Sequence, residues 1–171
     1  RRAALVKLDN GRILAASMNG MPHGAGAIKG NNFSGHFCLH FRDSRTHASG
    51  SQDLAHQVMI WKAAGIFEEQ MALQSPEESI KIFVTVLNQG DYILANRLLC
   101  GGQLSEEKCL MFKSIKIEKL QRLGGNKYSL SLRTVRQGSN QSEKKQIEID
   151  MAPGAYWRIH SSSLEKIFPD L

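Results

Sequence analysis

Apolar and polar positions follow two different periods along this chain, and the change of period divides it into parts. Near the start, Leu5, Val6 and Leu8 precede Asp9-Asn10-Gly11, and Ile13-Leu14-Ala15-Ala16 follow. An Asn-Gly pair supplies the positive φ of a tight turn, so residues 3–18 are expected to form a hairpin. From Asn19 to Ser34 the pattern lapses into a loop with Gly20, Gly24, Gly26 and Gly30 and a Pro22-His23-Gly24 corner. Loops of that length inside a compact unit are usually functional or mobile. This one runs into Ser34-Gly35-His36-Phe37-Cys38-Leu39-His40-Phe41, where residues alternate with period two. Successive side chains of an extended strand point to opposite faces. Phe37, Leu39 and Phe41 are therefore expected in a core, with His36, Cys38 and His40 together on the other face.

Helical signals begin at Ser51 or Asp53, either of them an N-cap, and run through Leu54–Ala64 to Gly65. A boundary is expected near Gln74. Beyond it Ser75 caps, Pro76 opens and Glu78 is placed to complete a capping box, with Ile80, Phe83, Val84 and Leu87 forming one apolar face. Asn88-Gln89-Gly90-Asp91 breaks that helix, and Tyr92–Leu99 reads as a second, shorter one. The period then changes to two at Ile115 and Ile117, at Tyr128, Leu130 and Leu132, and at Ile147 and Ile149. Polar turns separate these strands, and a fourth is expected over Ala155–His160, after Pro153-Gly154. Helices ahead of an antiparallel meander predict an α+β fold, with a β-rich unit over residues 1–74 and an α+β domain over 75–171. The sequence has no internal repeat.

Composition narrows the function classes. With 171 residues the chain is long enough for a proper core. Its net charge of +6 divides as +3 over residues 1–75 and +3 over 76–171. There is no basic run and no interleaved aromatic platform, which argues against a nucleic-acid interface. No apolar run approaches the roughly 20 residues of a transmembrane helix, and no secretory h-region is present. The opening at Arg1-Arg2, without an initiator Met, reads as a mature form or fragment. Of the three cysteines, Cys100 and Cys109 flank a loop that a disulfide would close in a secreted protein; three reduced thiols in a cytosolic protein fit the spacing equally well.

The concentration of chemistry lies on the His/Cys strand. Cys38 is a candidate nucleophile, because a nearby imidazole can accept its proton or, once protonated, stabilise the thiolate. His36 and His40 are two residues away on the same face, and His23 in the glycine-rich loop is a third candidate. Metal binding is the alternative: His36, Cys38 and His40 offer N and S ligands, and His47 or His56 would complete a tetrahedral zinc set. A third reading has the same side chains buried and hydrogen-bonded beside the core.

Pro22-His23-Gly24, a glycine-rich spacer and Ser34-Gly35-His36-Phe37-Cys38-Leu39-His40 resemble the active-site segment of L,D-transpeptidases, which ends in a Ser-His-Gly-Cys-Ile-Arg-like stretch. The resemblance covers about thirty residues; Phe37 stands where the family has Gly, and His40 where it has Arg. It implies Cys38 as nucleophile, His36 as its base, His23 and Gly24 as the outer wall of the pocket, and Ser34, Gly35 and His40 as substrate-binding residues. It also implies peptidoglycan stem peptides as substrate, an extracytoplasmic place in the cell envelope and no cofactor. Residues 75–162 resemble an NTF2-like (cystatin-like) domain through Glu77-Glu78-Ser79-Ile80, Gln89-Gly90-Asp91-Tyr92 and Tyr156-Trp157-Arg158-Ile159-His160; such domains often dimerise and many are not catalytic. Two functions are thus expected in competition: a cysteine-dependent envelope enzyme or a degenerate descendant of one, and a non-catalytic binding module whose His/Cys strand is structural or holds zinc.

Overall fold

The computed structural model describes residues 1–21, 30, 32, 35–46 and 50–169. His23, Gly24, Ser34 and His47 lie outside the described residues, and for Met21 and His36 only the backbone is described. The fold is α+β: a small three-stranded antiparallel sheet at the N-terminus, then helices and a five-stranded, mostly antiparallel sheet. The chain divides into two compact units, Arg1–Phe67 and Glu68–Leu171.

In the first unit, β1 (Arg2–Lys7) and β2 (Ile13–Met21) form the expected hairpin. Gly11 sits at φ +81°, the left-handed region that the Asn-Gly pair foreshadowed. The third strand, β3 (His36–His40), pairs with β2, giving the order β1-β2-β3 with β3 at an edge. Helix α1 (Leu54–Ala64) packs against β1 and β2. Asp53 is its N-cap, accepting from the backbone N–H groups of Ala55 and His56, and Gly65 ends it at φ +72°.

The second unit opens with α2 (Phe67–Met71), which spans the division between the units, and α3 (Pro76–Asn88). Ser75 Oγ accepts from the Glu78 N–H at 3.1 Å, as the capping signature predicts, while the Glu78 carboxylate turns to Lys81 at 2.6 Å. Next come α4 (Tyr92–Arg97), capped by Asp91, then β4 (Leu99–Cys100) and α5 (Glu106–Leu110). The helix expected to reach Leu99 therefore ends two residues earlier, at Arg97, and Leu99 begins a strand. The meander follows as β5 (Phe112–Gly124), β6 (Lys127–Arg136) and β7 (Ser142–Ala152), and the predicted fourth strand shortens to β8 (Arg158–His160). The sheet order is β4-β8-β7-β6-β5, with β4 parallel to β8.

Alternation positions this core. Tyr128, Leu130 and Leu132 of β6 are buried, and Tyr128 and Leu130 pair across with Ile149 and Ile147 of β7. Ser129 and Ser131 take the opposite face. On α3 every residue from Ser79 to Leu87 except Lys81 and Thr85 is buried, a wider stripe than the one-faced helix expected. A 3₁₀ turn, Ser161–Leu164, follows β8 and leads to buried Leu164, Ile167 and Phe168. Phe168 meets Phe112 edge to face at 5.8 Å.

Asn88 ties α3 to the sheet at an irregular point. Two register shifts flank Ile115 in β5. There Asn88 accepts from the Ile115 N–H at 2.8 Å and donates to its carbonyl at 2.6 Å. Replacing Asn88 by Ala leaves both backbone groups without that partner, at a cost of about 1–3 kcal/mol. In a unit of this size that corresponds to a fall of roughly 5–15 °C in melting temperature, measurable by calorimetry.

Candidate functional site

The register of β2 with β3 decides what faces what. Ser17 lies opposite His40, Met18 opposite Leu39, Asn19 opposite Cys38 and Gly20 opposite Phe37. Cross-strand partners share a face, so Ser17, Asn19, Cys38 and His40 form one face and Phe37, Leu39 and Phe41 belong to the other. Helix α1 brings His56 to the first of these faces. His56 Nδ1 is 2.8 Å from Ser17 Oγ, and its ring stacks on His40 at 3.7 Å between centroids with 13° between planes. Asp53, the cap of the same helix, pairs with Arg1 at 2.9 Å, and Arg1 also donates to Asn19 Oδ1 at 3.1 Å. A polar knot of Ser17, His40 and His56, flanked by Arg1, Asn19 and Asp53, therefore lies on the face that carries Cys38.

This arrangement overturns the expectation that Phe37, Leu39 and Phe41 are buried. They are 59%, 48% and 38% exposed. The reason is that register overrules hydrophobicity: pairing Ser17 with His40 commits every alternate residue of β3, and a one-residue slip would exchange the two faces. Full burial of a Leu or Phe side chain contributes roughly 1.5–3 kcal/mol, so three half-exposed ones leave a few kcal/mol unrealised. Against that loss stand the Ser17–His56 hydrogen bond, the imidazole stack and the Arg1–Asp53 pair.

Electrostatics bind the knot to pH. The His56 pKa is lowered from 6.5 to about 4, first by burial, then by the neighbouring His40 ring and the Arg1 guanidinium; Asp53 acts in the opposite direction. Burial pushes the Asp53 carboxyl up, but the Arg1 hydrogen bond and charge outweigh it and hold Asp53 below its ordinary value. His40 Nδ1 is buried without a hydrogen-bond partner among the described residues. At neutral pH, then, His56 is a neutral ring, the state that a face-to-face stack on a second imidazole accommodates best.

Cys38 is half-buried and free. The backbone of His36 lies opposite Met21 at the strand entrance, next to buried Gly35. His40 joins the stack, and His56, considered only as a fourth metal ligand, is its buried centre. Among the described residues no group of three or more His, Cys, Asp or Glu side chains is arranged to hold a metal; of the candidate ligands, Cys38, His40 and His56 have described side chains. Ser17 and Arg1 were missed; the signal for Ser17 was a lone hydroxyl amid the apolar residues of a hairpin strand. In the second unit Cys100 and Cys109 are both free thiols, and burial, then Asp91, raises Cys109 to about 11. An open cleft of about 590 Å³ there, between β7 and the 3₁₀ turn, is lined by Gln146, Glu148, Ser162 and Ser163.

No protein-family model, curated protein or solved structure matches the chain. A functional reading must therefore come from the residues themselves. Among the described residues no helix is long and apolar enough to cross a membrane.

An unfolded His56 titrates near 6.5 and a folded one near 4, so the unfolded chain binds more protons between these values. The stability of the first unit should be greatest above about pH 6.5 and fall by up to about 3 kcal/mol as pH approaches 4. Asp53, depressed in the folded state, extends the loss below that. Trp61 lies in α1 and Trp157 in the other unit, so urea unfolding followed by Trp61 fluorescence in a Trp157→Phe background isolates the effect. Ser17→Ala removes the partner of a buried ring nitrogen and should lower stability at pH 7 by about 1–3 kcal/mol in the same assay.

Proposed function

We propose that the protein is a cysteine-dependent enzyme of the cell envelope, similar to L,D-transpeptidases, that acts on peptidoglycan stem peptides through Cys38, with an NTF2-like accessory domain following in the sequence. One observation carries this reading. A strand with three large apolar residues turns them outward and keeps its histidine and cysteine face against a set of fixed polar side chains. Buried polar groups are costly unless partnered, and places where a sequence departs from the pattern expected of a core are commonly functional.

In this reading the Cys38 thiolate attacks the scissile carbonyl and forms a thioester. His36 takes the thiol proton and passes it to the departing amine, and an acceptor amine or water then releases the acyl group. His23 and Gly24 wall the pocket, while Ser34 and Gly35 line the approach to the thiol. His40, locked against His56, serves to hold the strand. The succession of helices and antiparallel meander in residues 75–162 supports the NTF2-like assignment of the second unit.

A second reading, a non-catalytic ligand- or partner-binding module, is favoured by the outward Phe37, Leu39 and Phe41 on an edge strand, the kind of apolar surface that partners cover. Thiol chemistry separates the two. On the first reading iodoacetamide alkylates Cys38 readily near pH 6, well below the titration of a free thiol, and a stem-peptide donor leaves a thioester mass on the wild type but not on Cys38→Ser. Alkylation that tracks an ordinary thiol curve, with no adduct, leaves the binding module standing.

A further inference from the structure

We propose that Cys100 and His160 form a second thiol site, in the Glu68–Leu171 unit, that undergoes thiol–disulfide exchange with small disulfides. The strands that carry the two residues build the site. In the parallel pair of β4 with β8, Leu99 lies opposite Ile159 and Cys100 opposite His160. Leu99 and Ile159 are 4% and 1% exposed and anchor the pair in the core. Alternation then turns Cys100 and His160 together to the other face, where His160 is exposed and Cys100 half-buried. Cys100 Sγ stands 3.5 Å from His160 Nδ1 and 3.6 Å from the Ile159 carbonyl oxygen.

The chain leaves this position sharply. Gly101 follows at φ +101°, and a Cβ there would stand 3.1 Å from Ser161 Oγ, so a side chain at this point would be strained and crowded. The thiol is thus held beside an imidazole and next to a residue with no side chain of its own, with solvent on the histidine's side. Cys109, by contrast, is 1% exposed.

The exchange balances within the pair and the disulfide. His160 Nδ1 takes the proton of the Cys100 thiol, and the thiolate attacks one sulfur of RS–SR. A Cys100–SR bond forms as the S–S bond of the reagent breaks, and the second RS⁻ leaves and recovers a proton as RSH. The reagent disulfide is the only oxidant required. No part of this depends on the role assigned to Cys38.

The test uses the full chain with oxidised glutathione at pH 7 and follows each cysteine by peptide mass mapping. Cys100 should acquire the glutathionyl group about tenfold faster in the wild type than in His160→Gln, while the Cys38 rate is the same in both. Cys109 reports unfolding, because a buried thiol reacts only when the unit opens; His160→Asn is read instead if the Gln variant exposes it. A Cys100 rate that is unchanged in the folded variant, or a wild-type Cys100 that forms no mixed disulfide, overturns the proposal.

Discussion

The stack of His40 on His56, fixed by the hydrogen bond from His56 to Ser17, is the contact on which the first unit depends. The stack joins the edge strand to the helix, and the Ser17 bond joins that helix to the central strand. Because Ser17 and His40 are opposite each other in the ladder, the position of one imidazole settles the orientation of the whole of β3. In most small sheets apolar side chains perform this locking and the polar face follows. Here polar side chains lock the strand, and the apolar face is what remains. Such a joint is conditional where a hydrophobic one is not, since it holds only while His56 stays neutral.

The second unit is organised by the opposite logic. Strand β6 and the second half of β7 bury residues at every second position, its longest helix is covered on nearly all sides, and Asn88 accommodates a ladder irregularity that apolar packing alone leaves unpaired. The two units therefore respond differently to conditions. Acid works on the first through one buried ring and its carboxylate neighbour. The apolar core of the second contains no comparable imidazole, and burial holds its buried thiol, Cys109, in the protonated form.

How far the sequence could be read follows from this contrast. Where period-two or helical patterning coincides with apolar burial, as in β6, β7 and α3, the elements and their inward residues were legible. So were the caps at Asp53 and Ser75, because capping is local chemistry. The short elements α2, β4 and α5 were not, since two to five residues carry too little periodicity to distinguish strand, helix and turn. In β3 the alternation was read correctly and its direction was not. Alternation specifies two faces without saying which is inside, and that was decided by Ser17 and His56, which lie 39 residues apart. The candidate site was accordingly visible as a set of residues on one face, while the partners that fix it were invisible until the helix was placed.

The three cysteines show how surroundings rather than residue type divide the chemistry. Burial removes Cys109 from reaction, with Asp91 acting in the same sense. Cys38 lies on a face whose described imidazoles, His40 and His56, are stacked on each other, with His56 bonded to Ser17. Cys100 has its imidazole already within reach, set there by a parallel pairing of only two residues on each strand. A search for nucleophiles along the sequence favours Cys38, where histidines are dense. Proximity in the fold favours Cys100, whose histidine is sixty residues away, and a thiol's reactivity depends on that spatial neighbour.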